Sequence, residues 1–339
     1  MYPPEQPTNY WHKGQGKLTW QATPTLRISQ LLRMEWWGGY GGPSRTVSFE
    51  AATKTLEAHI HTYATEVNKT FGSATVLTVR AGGLWEPNLV TGPLTGDYVT
   101  PNHTDNLTGL STQGAQQIGR TVVRRDQQAV KLERYVARAG TTHTFRTGLQ
   151  FEEVNDLRQT TWPSNVQYYD FGGAPDYALF RDPSVQGAAY TTQGIWGEDQ
   201  LTIGNRLTLD LGLRFDRMHA VSNDLAAINF QLEETGATIA GLGTLFTWKQ
   251  WAPRVGINLK LTDDGQTVLR STYGRAYRQI LPFELDTIHP GISSVTQASY
   301  VPATGGYTRI VSVTNSRSNI AVDPNLTAPR QDTFSVGLD

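Results

Sequence analysis

Two closely spaced histidines are the first candidates for chemistry in this sequence of 339 residues. His59 and His61 are separated by one residue, so in a β-strand both imidazoles lie on the same face, as in a metal-binding pair. A protein zinc site needs three or four ligands, and no third histidine is nearby in the sequence. We therefore interpret the pair as two histidines that face a water-filled lumen, opposite Leu56, Ala58 and Ile60, and we predict no metal site.

Two pairs of adjacent glutamates suggest the acid and base of a glycoside hydrolase. Neighbouring residues of a strand point to opposite faces, so Glu152 cannot act with Glu153, nor Glu233 with Glu234. The segment 109–114 has the wrong spacing for the turn that carries a nucleophilic serine, and no phosphate-binding or dinucleotide-binding fingerprint occurs. The sequence therefore predicts no catalytic residue and no cofactor, and we expect the protein not to be an enzyme.

Composition narrows the class of protein. Hydrophobic residues make up 38% of the chain and charged residues 17%, both below the roughly 45–50% and 25% of ordinary soluble domains. The chain has no cysteine and a net charge of −1, which excludes thiolate metal sites and argues against nucleic-acid binding. Few charges and 10% aromatic residues are typical of a transmembrane β-barrel, and also of a secreted, β-rich carbohydrate-binding protein.

The sharpest periodic pattern predicts a strand with one apolar and one polar face. Leu207, Leu209, Leu211, Leu213 and Phe215 alternate with polar residues or glycine over nine positions, which is about the length of a tilted membrane-crossing strand. The same alternation occurs near residues 26–36, 145–151 and 255–261. We expect the apolar residues to face lipid, with Asp210 and Arg214 on the inner face.

The connections between these segments alternate in length. Short turns with hairpin residues are predicted at 22–25, 68–72, 139–142, 204–205 and 262–266, and long polar connections at about 37–54, 84–122, 153–193, 217–249 and 278–330. An outer-membrane barrel has short periplasmic turns and long extracellular loops, whereas soluble sandwiches have no reason to alternate in this way. The fold class is therefore all-β: an antiparallel meander that forms a partial transmembrane β-barrel of about 11 strands.

An odd number of strands implies an incomplete barrel. An up-and-down barrel of 11 strands would join its first and last strands in parallel, and unpaired edges are costly in lipid. The N-terminus also has neither the basic nor the apolar region of a signal peptide. We therefore expect residues 1–12 to be an irregular segment and residues 13–339 to be part of a larger barrel.

Aromatic residues cluster at the predicted strand ends, next to the long connections. They form either the aromatic girdle of a membrane barrel or a stacking platform for an extracellular ligand, and the girdle is the favoured interpretation. The set is Trp36, Trp37, Tyr40, Trp85, Trp162, Tyr168, Tyr169, Trp248 and Trp251.

Several segments resemble successive barrel strands of TonB-dependent outer-membrane receptors, particularly the Oar-like branch. They are Arg206–Asp216, Trp251–Ile257, Gly265–Tyr277, His143–Gly148 and Leu326–Gln331 with Phe334–Gly337. The resemblance is firm over about residues 120–339 and thinner over 13–120. It implies the wall of a barrel of 22 strands, although neither the plug domain nor the TonB-contacting box of this family is found before Gly14.

The resemblance also implies a function and a location. A receptor of this kind takes up a nutrient across the cell outer membrane, with outer-membrane lipid and the TonB energy-coupling protein as partners, an unknown extracellular ligand and no nucleic acid. The alternatives are an outer-membrane structural or adhesion protein, and a secreted polysaccharide-binding or polysaccharide-degrading protein. The ligand-binding residues stay unknown at this point.

Overall fold

The computed structural model describes residues 9–39, 41–314, 321–323 and 325–339. Nearly all of the regular structure is β, with one short helix, α1 (Pro282–Asp286). The strands are β1 Tyr10–Thr23, β2 Leu26–Gly38, β3 Thr53–Phe71, β4 Thr75–Pro93, β5 Asn102–Asp105, β6 Leu110–Gln113, β7 Ile118–Arg138, β8 Thr141–Thr161, β9 Val166–Phe171, β10 Ala174–Phe180, β11 Ser184–Ile203, β12 Leu207–Ser222, β13 Leu225–Ile228, β14 Glu234–Ile239, β15 Gly243–Lys260, β16 Val268–Tyr277, β17 Val295–Val301, β18 Gly306–Thr314 and β19 Arg330–Leu338.

Eleven of these strands form one antiparallel sheet, which we call the wall. Its order is β1-β2-β3-β4-β7-β8-β11-β12-β15-β16-β19, so each strand pairs with the preceding wall strand in the chain. This arrangement confirms the predicted meander and its strand count. Among the described residues, β1 and β19 each pair on one side only. No helix of these residues is long and apolar enough to cross a membrane.

Short and long connections alternate between the wall strands, as the sequence predicts. The short turns contain two to seven residues and join β1 to β2, β3 to β4, β7 to β8, β11 to β12 and β15 to β16. Because all wall strands are antiparallel neighbours, these turns lie on one rim and the long connections on the other. The second predicted turn is misplaced: β3 continues through 68–71, and the chain turns at Gly72, whose φ of 58° suits glycine.

Most wall strands are much longer than the nine residues that the sequence pattern indicates, although β16 and β19 contain ten and nine. β7 and β8 each contain 21 residues, and β11 contains 20. They occupy much of the ranges predicted as long loops, because their outer halves are polar in sequence yet still pair with a neighbour along their whole length. The apolar alternation therefore marks only the part of each strand that faces lipid.

The two faces of the wall exchange character along its central strands β8, β11, β12 and β15. Near the short turns, Leu211 and Leu213 lie 45% and 50% exposed on the outer face, while Arg214 lies on the inner face with Asp216 and Gln150. Nearer the long connections, the buried apolar residues, such as Met218, lie on the inner face. The strict period of two confirms the predicted orientation of Leu207–Phe215, and a soluble sandwich would have covered these leucines with a second sheet.

The inner apolar region is covered by the connection between β16 and β19. Its first part, residues 278–293, which we call the connector, lies against the inner face of β8 and β11. Leu285, 6% exposed, packs in a cluster with Val154, Tyr190, Met218 and Trp248. The backbone of Gly291 accepts a hydrogen bond from the N–H of Val185 at 3.0 Å. A Cβ atom at Gly291 would lie 2.1 Å from the Val185 oxygen, so only glycine permits this approach.

Three long connections together build a second sheet, the loop sheet. Its order is β18-β17-β10-β9-β5-β6, with β5 and β9 parallel. The sequence did not indicate this sheet, because its strands are four to nine residues long and come from distant segments. It lies on the rim of the long connections, above the wall.

Candidate ligand-contact site

The histidine pair lies on the outer face of the wall, not toward the lumen as predicted. His59 is registered opposite Trp36, and His61 opposite Met34, whereas Ala58 is fully buried. The prediction was wrong because it assumed that apolar residues face lipid along the whole strand. The β3–β4 register is irregular before the pair, between Thr55 and Glu57, and again between His59 and His61, and here the faces have already exchanged. No group of three or more histidine or acidic residues in the described part of the chain has the geometry of a metal site.

The adjacent glutamates point to opposite faces, as the strand geometry requires. Glu152 is 3% exposed on the inner face, and Glu153 is exposed on the outer face. Glu233 precedes β14 and accepts a hydrogen bond from the Asn229 side chain at 2.8 Å. Neither pair has the facing arrangement of two catalytic carboxylates.

The described members of the aromatic set lie in four environments. Trp36, Trp85 and Trp251 are 42–54% exposed on the outer face, where a membrane girdle would lie. Trp162 and Trp248 are buried at 6% and 5%. Tyr168 and Tyr169 belong to the loop sheet, Trp37 lies on the inner face opposite Ala58, and Tyr40 lies outside the described residues. The sequence could not separate these groups, because all of them lie near strand ends.

The inner face of the wall holds a polar cavity of about 200 Å³ directly beneath the connector. Charged, amide and small side chains line it in mixed order. The wall residues are Gln150, Glu152, Thr192, Arg214, Asp216, Met218, Gln250, Ala252, Arg254, Arg275, Ala276 and Tyr277, and Gln279 of the connector closes the cavity at the long-loop rim. Alternating donors and acceptors of this kind suit a polar molecule that carries both.

Glu152 is the centre of the first hydrogen-bond network in this cavity. Its Oε1 accepts from Arg125 Nε at 2.9 Å and from the Tyr190 hydroxyl at 3.2 Å. Its Oε2 accepts from Gln279 Nε2 at 3.3 Å. A carboxylate buried to this extent is stable only when it is paired, and the network also ties the connector to the wall.

Three arginines line the cavity, and they differ in what they contact: Arg275 is paired with Asp332 at 2.7 Å. Arg214 donates to both oxygens of Asp216, at 2.6 and 2.7 Å, so its charge is neutralised. Arg254 is registered opposite Gly212 and Gly274, and within the described ranges it has no ion pair. Its guanidinium is therefore the group in this cavity that is best placed to bind a hydrogen-bond acceptor.

Two hairpin tips of the loop sheet are joined through one aspartate. The carboxylate of Asp105 accepts hydrogen bonds from the backbone N–H groups of Leu107 and Thr108, at 2.9 and 3.0 Å, and from Gly173 at 2.6 Å. The N–H groups of Thr108 and Gly173 lower the pKa of Asp105 below its usual value. The joined tips present Leu107 and Phe171 to solvent, 63% and 57% exposed.

The joined tips should loosen in acid. A carboxylate whose pKa is lower in the folded state stabilises above its unfolded pKa of about 3.9, and this contribution is lost as the pH falls through the folded pKa. The protection factor of the Gly173 amide, which is its exchange rate corrected for the intrinsic pH dependence of amide exchange, should be constant from pH 5 to 7 and should fall below about pH 4. Asp105→Asn should lower this protection factor at pH 7, because the carboxylate that accepts from Gly173 is lost. Asp97→Asn is the matched control, since Asp97 caps only its own turn, and an equal effect of both variants would contradict the assignment.

Comparisons with known proteins agree with this architecture. Residues 9–339 match the family model described as TonB dependent receptor-like, beta-barrel. A TonB-dependent transporter, Oar, from Myxococcus xanthus is 22% identical over 184 residues, which are 48% of this chain and 16% of that protein. The solved outer-membrane receptor FauA from Bordetella pertussis aligns with a TM-score of 0.53 at 10% identity, over 87% of this chain and 41% of its own.

A second solved structure gives the same result. The siderophore receptor PiuA from Acinetobacter baumannii aligns with a TM-score of 0.51 at 13% identity, over 99% of this chain and 48% of its own. At these identities the likeness shows the fold alone. The chain spans less than half the length of both solved structures and about a sixth of the curated relative.

Proposed function

The chain belongs to the TonB-dependent receptor-like β-barrel family, and on that premise we propose that it forms part of the wall of a receptor that takes up an extracellular nutrient. Members of this family are receptors and transporters of the outer membrane, and this chain is a β-barrel portion of that kind. The exposed leucines of its outer face contact lipid, and its polar inner face lines the lumen. No step of the proposed function needs a catalytic residue.

The polar cavity beneath the connector is the observation that carries the proposal of a transported ligand. It lies on the lumen side of the wall and next to the extracellular rim, where an incoming molecule arrives first. Glu152 is paired with Arg125 and Asp216 with Arg214, so the unpaired Arg254 favours a polar ligand that presents a hydrogen-bond acceptor to it. The energy for inward release would come from the TonB protein of the inner membrane, which is part of the same proposal.

Uptake measurements in the producing bacterium test this function. A strain that lacks the gene should lose the uptake of one nutrient from a panel of radiolabelled sugars, peptides and metal chelates. A strain that lacks TonB should lose the same uptake while cells still bind the nutrient at their surface. Uptake that persists without TonB would contradict the proposal.

Arg254→Gln should weaken ligand capture without changing the fold. A hydrogen bond to a charged group contributes about 1.5 kcal/mol or more, so the nutrient concentration for half-maximal uptake should rise about tenfold. Arg206→Gln is the matched control, because Arg206 pairs with Asp263 at the short-turn rim, far from the cavity. Equal uptake curves for both variants would exclude Arg254 from the site.

An adhesion role is the second candidate, and the joined hairpin tips favour it. Leu107 and Phe171 form an exposed apolar tip on a loop sheet that hydrogen bonds hold rigid, as a docking surface for another cell-surface molecule would require. Leu107→Ser with Phe171→Ser would then abolish attachment of cells to their surface partner and leave nutrient uptake unchanged. Loss of uptake without loss of attachment would favour the receptor function instead.

A further inference from the structure

A pair of like charges lies on the outer face of the wall at one level. Between β12 and β15, residues directly opposite each other are Leu211 and Val255, then Phe215 and Trp251, and, further toward the long loops, Arg217 and Lys249. The rings of Phe215 and Trp251 are in contact, with centroids 4.7 Å apart. The outer face thus changes from aliphatic to aromatic to cationic over a few residues.

The two cations lack a protein counterion. Residues directly opposite on one face of an antiparallel pair have Cβ atoms about 5 Å apart, and like charges in this position destabilise the sheet. In ranges 9–39, 41–314, 321–323 and 325–339, neither Arg217 nor Lys249 forms an ion pair, and the other neighbour of Arg217 is the neutral Gln193. An anion between them would remove the repulsion.

The remaining polar groups of this face do not supply that anion. His219, the next residue of β12 on the outer face, is hydrogen-bonded to the Thr247 hydroxyl at 2.8 Å. Glu153 is two strands away and accepts from Asn155 Nδ2 at 3.2 Å. Asp216 lies on the opposite face, paired with Arg214. The carboxylates nearby in the register are therefore committed elsewhere or face the lumen.

The depth of the pair identifies the anion. Aromatic side chains mark the boundary between hydrocarbon and headgroups, and Arg217 and Lys249 lie one outward-facing position beyond the aromatic pair. Phosphate groups of anionic lipids lie at this level. An arginine fork and a lysine ammonium together supply the donors that a phosphate needs.

We propose that Arg217 and Lys249 bind the phosphate of an anionic outer-leaflet lipid against the outside of the wall. The site is separate from the cavity beneath the connector, which lies on the other face of the same strands. The bound lipid fixes the depth and rotation of the wall in the membrane at the level of this pair on β12 and β15. The site rests on the location of the chain in the outer membrane and not on the identity of the transported ligand.

Lipid retention by the full-length protein tests the site. The protein is purified from outer membranes in mild detergent, and bound phosphorylated lipid is measured by native mass spectrometry. Each cation near an anionic surface changes affinity about fivefold, so Arg217→Gln with Lys249→Gln should lower lipid affinity about thirtyfold. Arg309→Gln is the matched control, since Arg309 is an exposed cation of β18 away from the wall and should retain the lipid. Equal lipid retention by the double variant and the wild type would overturn the proposal.

A second variant separates lipid binding from folding. Lys249→Glu converts the repulsive pair into an opposite-charge pair, which the sheet tolerates better, and it should therefore fold while losing the lipid. Folding is checked by the heat-dependent shift of the band on a gel. A folded Lys249→Glu variant that keeps the lipid would contradict the site.

Two further arms identify the source of the phosphate. In phosphatidylcholine vesicles that contain bisphosphorylated lipid A, the wild type should enrich the lipid A around itself, and dephosphorylated lipid A should show no enrichment. Inorganic phosphate at millimolar concentration should not displace the lipid. Displacement by inorganic phosphate would show a free-anion site, and enrichment of dephosphorylated lipid would show packing on acyl chains; either result would refute the proposal.

Discussion

Leu211→Arg is expected to destabilise the folded protein in a bilayer by about 2–4 kcal/mol, the cost of an arginine near the middle of the lipid-facing surface of a barrel. Leu211 lies at the centre of the alternating segment of β12 and is 45% exposed on the outer face. The residue opposite it on β11, Asp199, is already paired with His143 Nδ1 at 2.7 Å, and the residue opposite it on β15 is Val255. The free energy of unfolding would be measured by denaturant titration of the full-length protein in lipid vesicles.

The control for this variant lies three residues away on the other face. Thr208→Arg places the same side chain toward the lumen, where its register neighbours, Thr202 and Asn258, are neutral, and its effect should be small. In detergent micelles, which adapt their shape to a charge, the difference between the two variants should shrink. A Thr208→Arg variant as unstable as Leu211→Arg would mean that the faces of β12 are assigned in reverse.

Trp248→Ala is expected to destabilise the region near the long-loop rim by about 3–5 kcal/mol, the usual cost of removing a buried aromatic side chain. Trp248 is 5% exposed, stacks on Phe246 at a centroid distance of 4.2 Å and donates its Nε1–H to the Leu326 oxygen at 2.7 Å. Its loss leaves a cavity beneath Leu285 and removes the hydrogen bond to the backbone carbonyl of Leu326. Proteolysis of the connector should accelerate strongly. Cleavage of peptide bonds within residues 278–293 would be followed by mass spectrometry.

Trp251→Ala is the matched control for the buried tryptophan. Trp251 lies three residues further along β15 and is 54% exposed on the outer face, so its removal should not alter proteolysis of the connector. Trp248→Phe should give an intermediate result, because it keeps most of the packing and loses only the hydrogen bond of about 1 kcal/mol. Equal proteolysis of the two alanine variants would show that the connector does not depend on the cluster around Leu285.

Periodicity revealed the lipid-facing part of the wall because lipid imposes a strict rule there. A polar outward residue is costly in hydrocarbon, so Leu207 to Phe215 alternate without exception, and both the face and the strand could be read directly. Turn positions were predictable from glycine, proline and asparagine. The exception at 68–72 arose because the asparagine that suggested the turn, Asn68, instead donates to Glu66 of its own strand and accepts from Thr78 of β4.

Beyond the aromatic pair Phe215 and Trp251, outward-facing residues no longer have to be apolar. The predicted orientation of the histidine pair is wrong for that reason. Water on the outer face permits Arg217 and His59, while the connector provides an apolar partner for Met218 on the inner face. Which face is buried there depends on the position of residues 278–293, which no local pattern shows. The cavity residues were missed because Glu152 and Arg254 acquire their roles from neighbours on other strands; their position on the polar face of an alternating segment was the available signal.

The length of the wall strands determines how far the wall extends above the membrane. The longest wall strands contain about 20 residues. At roughly 3.3 Å for each residue and a tilt of about 40°, they rise about 50 Å, whereas the apolar band of an outer-membrane barrel is only about 25 Å tall. The part of the long strands that extends beyond the apolar band forms a rigid extracellular section of the wall, which we call the collar. It holds the loop sheet above the lipid sugars nearest the membrane. Large particles such as antibodies and phages would therefore reach the joined tips at Leu107 and Phe171, while the lipid-level cations stay screened from them. Selection by antibodies and phages should accordingly cause sequence variation at the joined tips and little variation in the collar.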